Sequence, residues 1–440
     1  MIQEASYMRL GAMGLSHAVP CPEGWQNRRL RFLTRINKPV RVDMPPETEV
    51  SFVPMAAIGE NGGIQLDQVK PLDGMGDGYT PFVDGDVVVA KITPCFENGK
   101  GAFAEGLKNG IAFGTTELHV IRPAKDIDGR FLFYLSISEL FRKLGEGAMY
   151  GAGGQKRVPE VYIKDFQTPL PPLDQQQKIT AFLDRKTAEI DTLIAKKRRL
   201  LDLLDEKRTA LITRAVTKGL NPDAPMKDSG IEWLGEIPAH WETKKMKFLF
   251  KGRGGGTPAT QNKEYWNGDI PWVSPKDMKR QFISETIDYI TELAIDETST
   301  NMVPCDSVLI VMRSGILRHT MPVGVASRDV AINQDIKAMI SIDRLSSRYL
   351  FWLIFAKKKS LLPLWFKIGC TVESLENRYI VNEALPVPPD DEQSQIISFA
   401  LEVSENIKKI EESIKSAISK LEEYRSALIT NAVTGQIKVA

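Results

Sequence analysis

The sequence predicts an α+β chain: two globular α/β domains separated by two long antiparallel helices that form an intramolecular coiled coil, the whole a pseudo-two-fold repeat. Three observations predict it. Segments of the first half return in the second at a nearly constant offset. A heptad pattern of apolar residues closes each copy. Short β-rich runs with Gly- and Pro-rich connections fill the remainder.

The repeat sets the architecture, because a fixed period means one structural unit used again. Arg208-Thr-Ala-Leu-Ile-Thr213 returns as Arg425-Ser-Ala-Leu-Ile-Thr430, and Leu170-Pro-Pro172 returns as Val387-Pro-Pro389. Between them Gln176, Ile179, Phe182 and Ile190 match Gln393, Ile396, Phe399 and Ile407 without a gap. Tyr162-Ile163 pairs with Tyr379-Ile380, and Arg130 to Leu135 resembles Arg348 to Leu353. At the front of each copy, Trp25 to Leu33 resembles Trp241 to Leu249. The middle of each half diverges. One scaffold therefore carries two different working surfaces. The boundaries fall at 1–168 for the first globular domain, 169–220 for a central helix, 221–384 for the second globular domain and 385–440 for a C-terminal helix.

The helix after Pro388-Pro389 has Asp390, Asp391 and Glu392 in its first turn, where the helix dipole favours negative charge. Its predicted seam is Ile396, Ala400, Val403, Ile407, Ile410, Ile414, Ala417, Leu421, Tyr424 and Leu428, at steps of four and three. Transferred by the offset, the seam of the first helix becomes Ile179, Leu183, Ile190, Leu193, Leu200, Leu204 and Leu211, interrupted by Lys186, Lys197 and Lys207. A helix of about 40 residues spans roughly 60 Å, more than a small domain covers, so each copy is the natural partner of the other. Two-fold symmetry across the helices makes them antiparallel. In the globular halves, Asp86–Ile92, Glu117–Arg122, Ser307–Met312 and Ala331–Ile342 read as strands, and Phe131–Leu144 and Tyr349–Phe355 as helices.

Composition narrows the function. Hydrophobic residues make up 42%, enough for packed cores. Lys plus Arg is 57 against 56 acids, so any nucleic-acid footprint must come from cations gathered on particular faces. Cys21, Cys95, Cys305 and Cys370 are far apart and fit neither a zinc site nor a disulfide framework, which suits a reducing cytoplasm. Met1 to Pro20 lacks the apolar run of a signal peptide, and no stretch reaches the roughly 18 apolar residues of a membrane span.

Catalytic motifs are weak. Gly252-Arg-Gly-Gly-Gly-Thr257 lacks the ending of a phosphate-binding loop and reads as a structural loop. The Pro-Pro pairs lack the Asn and aromatic of an aminomethyltransferase motif. Asp205-Glu-Lys207 lies in a helix, and its repeat mate is Glu422-Glu-Tyr424. No Ser/His/Asp, Cys/His or metal set emerges, so the chain does not read as an enzyme.

Cations near aromatics and in loops are the better lead. The candidate DNA-binding residues are Arg28, Arg29 and Arg31 after Trp25, Lys244 and Lys245 after Trp241, Lys91, Lys100, Lys276, Arg313 and Arg318. Gln155, Lys156 and Arg157 of the loop from Gly151 join them, with Thr371 and Ser374 of its counterpart Cys370–Ser374. Arg and Lys suit guanine edges, amides suit adenine, and hydroxyls and Lys hold phosphates. The Arg28–Arg31 and Lys244–Lys247 runs occur in both copies, which leaves scaffold as the alternative to readout for them.

These residues resemble the specificity (S) subunits of type I restriction-modification systems, the HsdS family, over essentially the whole chain. The marks are Ile231-Glu-Trp-Leu-Gly-Glu-Ile-Pro-Ala-His-Trp241, Gly255-Gly-Thr-Pro258 with Tyr265-Trp266 and Ile270-Pro-Trp272, the two Pro-Pro-x-Asp-x-Gln helix starts and the Arg-x-Ala-Leu-Ile-Thr helix ends. The halves part at Asn333-Gln-Asp335 against Gly114-Thr-Thr-Glu117. The resemblance implies a non-catalytic subunit in which two target-recognition domains read the two parts of a split, asymmetric site on double-stranded DNA. It implies helices that set the gap, two docked modification subunits that carry S-adenosylmethionine and methylate adenine, and room for two restriction subunits, ATP-dependent translocases and nucleases. No cofactor is expected in this chain. The alternative is a coiled-coil adaptor that binds only protein.

Overall fold

The computed structural model describes residues 21–76, 78–152, 154–369 and 371–439. The expectations for Met1–Pro20, and Cys370 among the cysteines, lie outside the described residues. Contacts divide the chain into two compact units, residues up to 197 with those from 415 onward, and residues 198–414.

The first unit contains β1 (Gln26–Arg29), β2 (Thr34–Ile36), β3 (Glu49–Val53), β4 (Val69–Pro71), β5 (Tyr79–Val83), β6 (Val87–Ala90), β7 (Gly101–Phe103), β8 (Ile111–Thr115), β9 (Leu118–Pro123) and β10 (Gln167–Leu170). One sheet, ordered β2-β9-β6-β7, is antiparallel throughout. The other, β4-β3-β8-β5, has a parallel pair at β3 and β8. Val53, Phe82 and Ala112 from the second sheet share one core cluster with Val88, Ala102 and Val120 from the first. Val87-Val-Val-Ala90 is apolar without alternation because every one of its residues is buried.

The predicted helix Phe131–Leu144 is two helices, α1 (Gly129–Ile137) and α2 (Glu139–Ala148). Ser138 breaks it: its ψ of 147° is extended, and its hydroxyl accepts from the Phe141 N–H as the cap of α2. After α3 (Glu160–Asp165), β10 pairs with β1 as a separate two-stranded ribbon. The chain then enters α4 (Leu173–Lys218), part of which belongs to each unit.

The second unit repeats this plan. Its strands are β11 (Met226–Asp228), β12 (Glu236–Pro238), β13 (Glu242–Lys245), β14 (Phe250–Gly254), β15 (Trp266–Val273), β16 (Phe282–Ile283), β17 (Asp288–Ile290), β18 (Met302–Val303), β19 (Val308–Val311), β20 (Val323–Ala326), β21 (Val330–Ile332), β22 (Ile336–Ser341) and β23 (Ala384–Val387). The sheet β14-β22-β19-β20-β16 corresponds to β2-β9-β6-β7 with a strand added at one edge. The sheet β17-β15-β21-β18 keeps its central pair parallel, and β13 with β23 repeats the ribbon. The predicted strand Ala331–Ile342 is divided between β21 and β22 in different sheets. Asn333 turns the chain there, its Oδ1 accepting from the Asp335 N–H at 3.0 Å. The helices are α5 (Glu292–Glu297), α6 (Ser347–Trp365), α7 (Asn377–Asn382) and α8 (Asp390–Val433). The sequence placed only Tyr349–Phe355 of α6, because Lys357–Lys359 hide how far the helix continues.

Within the second unit α4 and α8 are antiparallel. Lys218 and Gly219 border Asp391 and Glu392. Ile212, Ala215 and Val216 share a core cluster with Ile396 and Ala400, and Arg208 reaches Glu411 at 3.5 Å. Within the first unit Arg425 of α8 lies 3.1 Å from Asp191 of α4.

The predicted seam is right in one row and one residue early in the other. Leu193, Leu200 and Ile410 are 44%, 45% and 47% exposed, and Tyr424 is exposed too. Thr187, Ile194, Ile418 and Arg425 are buried in their place, while Ile179, Leu183, Ile190, Ile396, Ile407, Ile414 and Leu428 are buried as expected. Leu204, Leu211, Val403 and Leu421 are half-buried. Both registers alternate steps of four and three, so spacing alone does not separate them. The lysines at 186 and 207 therefore do not break the first seam; Thr187 and Arg208 occupy it.

Candidate nucleic-acid interface

In both units three segments meet at one end of the sheets. In the first they are the turn between β8 and β9, the chain leaving β6, and the loop 150–157. Lys91 N–H donates to the Glu117 carbonyl at 2.9 Å, Val158 N–H to the Lys91 carbonyl at 2.8 Å, and Thr93 N–H to the Lys156 carbonyl at 2.9 Å. In the second unit Met312 N–H donates to the Asp335 carbonyl at 2.7 Å, Leu375 N–H to the Met312 carbonyl at 2.7 Å, and Ser314 N–H to the Glu373 carbonyl at 3.0 Å. The backbone frame is the same, with side chains of like type at Glu117/Asp335, Thr93/Ser314 and Val158/Leu375 and of different type at Lys91/Met312 and Lys156/Glu373.

Each frame carries an arginine held by a carboxylate, arranged differently. Arg157 forks onto Glu117, with contacts of 2.7, 2.9 and 3.2 Å. That hydrogen bonding holds the Glu117 carboxyl below its usual range. In the other unit Arg313 Nε donates to Asp335 Oδ1 at 2.7 Å from the strand side, and Arg318 pairs with Glu373, which lowers the Glu373 carboxyl in turn. Burial pushes the Lys91 ammonium below its ordinary range against the opposing pull of Glu117. Lys337 is lowered by burial as well, and its Nζ donates to Asn377 Oδ1 at 2.6 Å.

The two loops are closed alike and filled differently. Tyr150 and Arg157 exchange both backbone hydrogen bonds, at 3.1 and 2.9 Å, around an apex with Gln155 and Lys156 exposed. Lys367 N–H donates to the Ser374 carbonyl at 2.9 Å, around an apex with Ile368 and Thr371 exposed. Gly153 and Cys370 of these loops lie outside the described residues.

The structure thus brings together Lys91, Gln155, Lys156 and Arg157 in one unit, and Arg313, Arg318, Thr371 and Ser374 in the other. The remaining candidates lie elsewhere. Lys100 Nζ donates to the Met55 carbonyl at 3.1 Å, and Lys276 sits in the turn after β15. Arg28 and Arg29 are on β1, and Lys244 and Lys245 on β13, so these runs build the ribbons. Arg31 pairs with Asp165 and Lys244 with Asp343. The sequence did not single out Tyr150, Lys337, Lys367 or Glu373, whose place depends on contacts between segments distant in the chain.

The glycine-rich segment is structural. A Cβ on Gly255 would lie 1.8 Å from the Ile332 carbonyl oxygen, so only glycine lets these backbones approach. Among the described residues no group of three or more His, Cys, Asp and Glu is placed to hold a metal ion, and Cys21, Cys95 and Cys305 are free thiols. No described helix is long and apolar enough to cross a membrane.

A family model, the type I restriction modification DNA specificity domain, matches residues 22–201 and again 238–420. The chain is 44% identical over 160 residues to the specificity subunit of the type I restriction enzyme EcoAI of Escherichia coli, a match over 36% of this chain and 27% of that protein. It is 32% identical over 246 residues to the EcoR124I/EcoR124II specificity subunit of Escherichia coli, over 55% of this chain and 54% of that one. The chain thus spans between a quarter and about half of the length of these curated relatives. In fold it is similar to a chain solved in work on complex assembly and conformational transition of the type I R-M system, with TM-score 0.69 and 17% identity over 95% of this chain and 100% of that one. The HsdS subunit of Thermoanaerobacter tengcongensis gives TM-score 0.51 and 17% identity over 96% and 99%. With its domain present twice, the chain belongs to the type I restriction-modification DNA-specificity family, HsdS.

Proposed function

We propose that this chain is the non-catalytic specificity subunit of a type I restriction-modification complex, and that each unit reads one part of a bipartite, asymmetric DNA site. The observation that carries this is the pair of matched frames: three equivalent backbone hydrogen bonds join the segments that carry Lys91, Gln155, Lys156 and Arg157 in one unit and Arg313, Arg318, Thr371 and Ser374 in the other. A reader of two different sequences needs a constant frame and variable side chains, since base edges are distinguished by the donors and acceptors offered to them. The long helices set the gap between the parts. Two modification subunits dock on the repeated scaffold and bring S-adenosylmethionine and the adenine-methylating chemistry, and restriction subunits add to that core.

The test is a map of methylated adenines in cells carrying the chain with its modification subunit. Lys156→Ala with Gln155→Ala should relax one part of the site, and Arg318→Ala the other. Unchanged sites in both variants would refute these frames as the readers. Inserting one heptad at equivalent points of α4 and α8 adds roughly 10 Å, or about three base pairs, to the preferred gap. Absence of sequence-selective DNA binding with and without the modification subunit would favour the protein-only adaptor.

A further inference from the structure

Two phenylalanines stand exposed at the same place in the repeat. Phe32 is 67% exposed and Phe248 is 55% exposed, and each ends a short 3-10 turn that follows the first strand of its ribbon. The turns are built alike. Leu33 N–H donates to the Leu30 carbonyl at 3.0 Å, and Leu249 N–H to the Met246 carbonyl at 3.0 Å. Leu30 N–H reaches back to the Phe166 carbonyl at 3.0 Å, and Met246 N–H to the Glu383 carbonyl at 2.8 Å. Leu30, Leu33, Met246 and Leu249 are all buried, so the turn holds its third residue outward.

The surroundings match in part. Arg31 pairs with Asp165 at the end of α3, and Lys247 Nζ donates to Asn382 at the end of α7 at 3.0 Å. The short helices differ at the repeat position Tyr162/Tyr379, since Tyr162 is half-buried while Tyr379 is exposed, so the equivalence of the two patches rests on the turns and their phenylalanines. A single exposed apolar side chain is ordinary at a protein surface, but a ring held outward by the same buried turn in both copies of a repeat is not scattered by chance. A base reader would differ between the units, as the frames described above do. This feature is repeated.

We infer that Phe32 and Phe248 are the anchors of two equivalent docking patches, each taking one copy of the same protein partner. The partner offers an apolar pocket the size of a phenyl ring; Arg29 and Arg31 already face Asp165, and Lys247 bonds Asn382, so the ring itself is the contact. The inference rests on the proposed reading that two modification subunits bind this chain, and it places their contacts on the ribbon turns.

The test uses the full chain co-purified with its modification subunit, with native mass spectrometry for stoichiometry, circular dichroism for folding and gel shifts for DNA binding. Phe32→Ser and Phe248→Ser should each reduce the complex from two partners to one, with at least ~tenfold weaker binding at the altered patch. The double variant should bind none while melting like the unaltered chain. Phe32→Leu should restore much of the binding, because it restores apolar surface. Two partners retained by a folded double variant would overturn the inference. Weakened DNA binding with the partner count unchanged would also overturn it and assign the rings to DNA. If the unaltered chain binds no modification subunit, the reading of function fails first.

Discussion

Gln176 and Gln393, 217 positions apart, make the same three hydrogen bonds. Gln176 Nε2 donates to the Pro171 carbonyl at 2.8 Å and the Asp126 carbonyl at 3.2 Å, while its Oε1 accepts from the Asp128 N–H at 2.7 Å. Gln393 does the same with the Pro388 and Arg344 carbonyls, at 2.9 and 3.2 Å, and the Ser346 N–H at 2.8 Å. Asp128 and Ser346 are the N-cap residues of α1 and α6. Each glutamine thus fastens the start of a long helix to the start of a domain helix. Both are buried, so truncation strands three polar groups without water. Gln176→Ala and Gln393→Ala should each destabilise the chain by on the order of 3 kcal/mol. Denaturant unfolding measures this, and a loss below about 1 kcal/mol would show the bonds to be incidental.

The register of the helix seam can be tested by neighbouring substitutions. Ile194 is buried and Leu193 exposed. Ile194→Ala should cost about 2–4 kcal/mol, and Leu193→Ala less than about 1. Equal losses in thermal unfolding would put the seam between the two registers.

His119 makes stability depend on pH. Its Nδ1 accepts from Asn37 Nδ2 at 3.0 Å, and its Nε2 donates to the Val158 carbonyl at 3.0 Å. Burial, the largest influence, lowers its pKa below the ordinary 6.5. The folded state therefore keeps the ring neutral where the unfolded chain already takes up a proton. Stability is fully present above 6.5 and declines as pH falls through and below that value. Melting curves at pH 7.5 and 5.5 should differ, and His119→Gln should narrow the difference. An undiminished pH effect in that variant would assign it to other groups.

Gly255→Ala tests the structural reading of the glycine-rich segment. The added Cβ collides with the Ile332 backbone, which cannot rotate away as a side chain would. The cost should be at least about 2 kcal/mol in denaturant unfolding. A phosphate-binding role would instead predict a folded variant with lost nucleotide affinity.

The sequence by itself determined the doubling, the long helices, the apolar strands and the family resemblance. These depend on periodicity and on local chemistry, such as the Pro-Pro entries and the heptad steps, which survive in a linear string. The tertiary structure decided the rest. It chose Ile194 over Leu193, because two registers with the same spacing differ only in what packs against them. It cut Ala331–Ile342 between two sheets, since the turn at Asn333 matters only once the strands find separate partners. It also separated the cations. Arg28 and Lys244 look alike to Lys156 and Arg318 in sequence, yet the first pair lies on the ribbon strands and the second beside the matched frames. A side chain's role at a surface is set by what lies across from it, and those neighbours come from segments far apart in the chain.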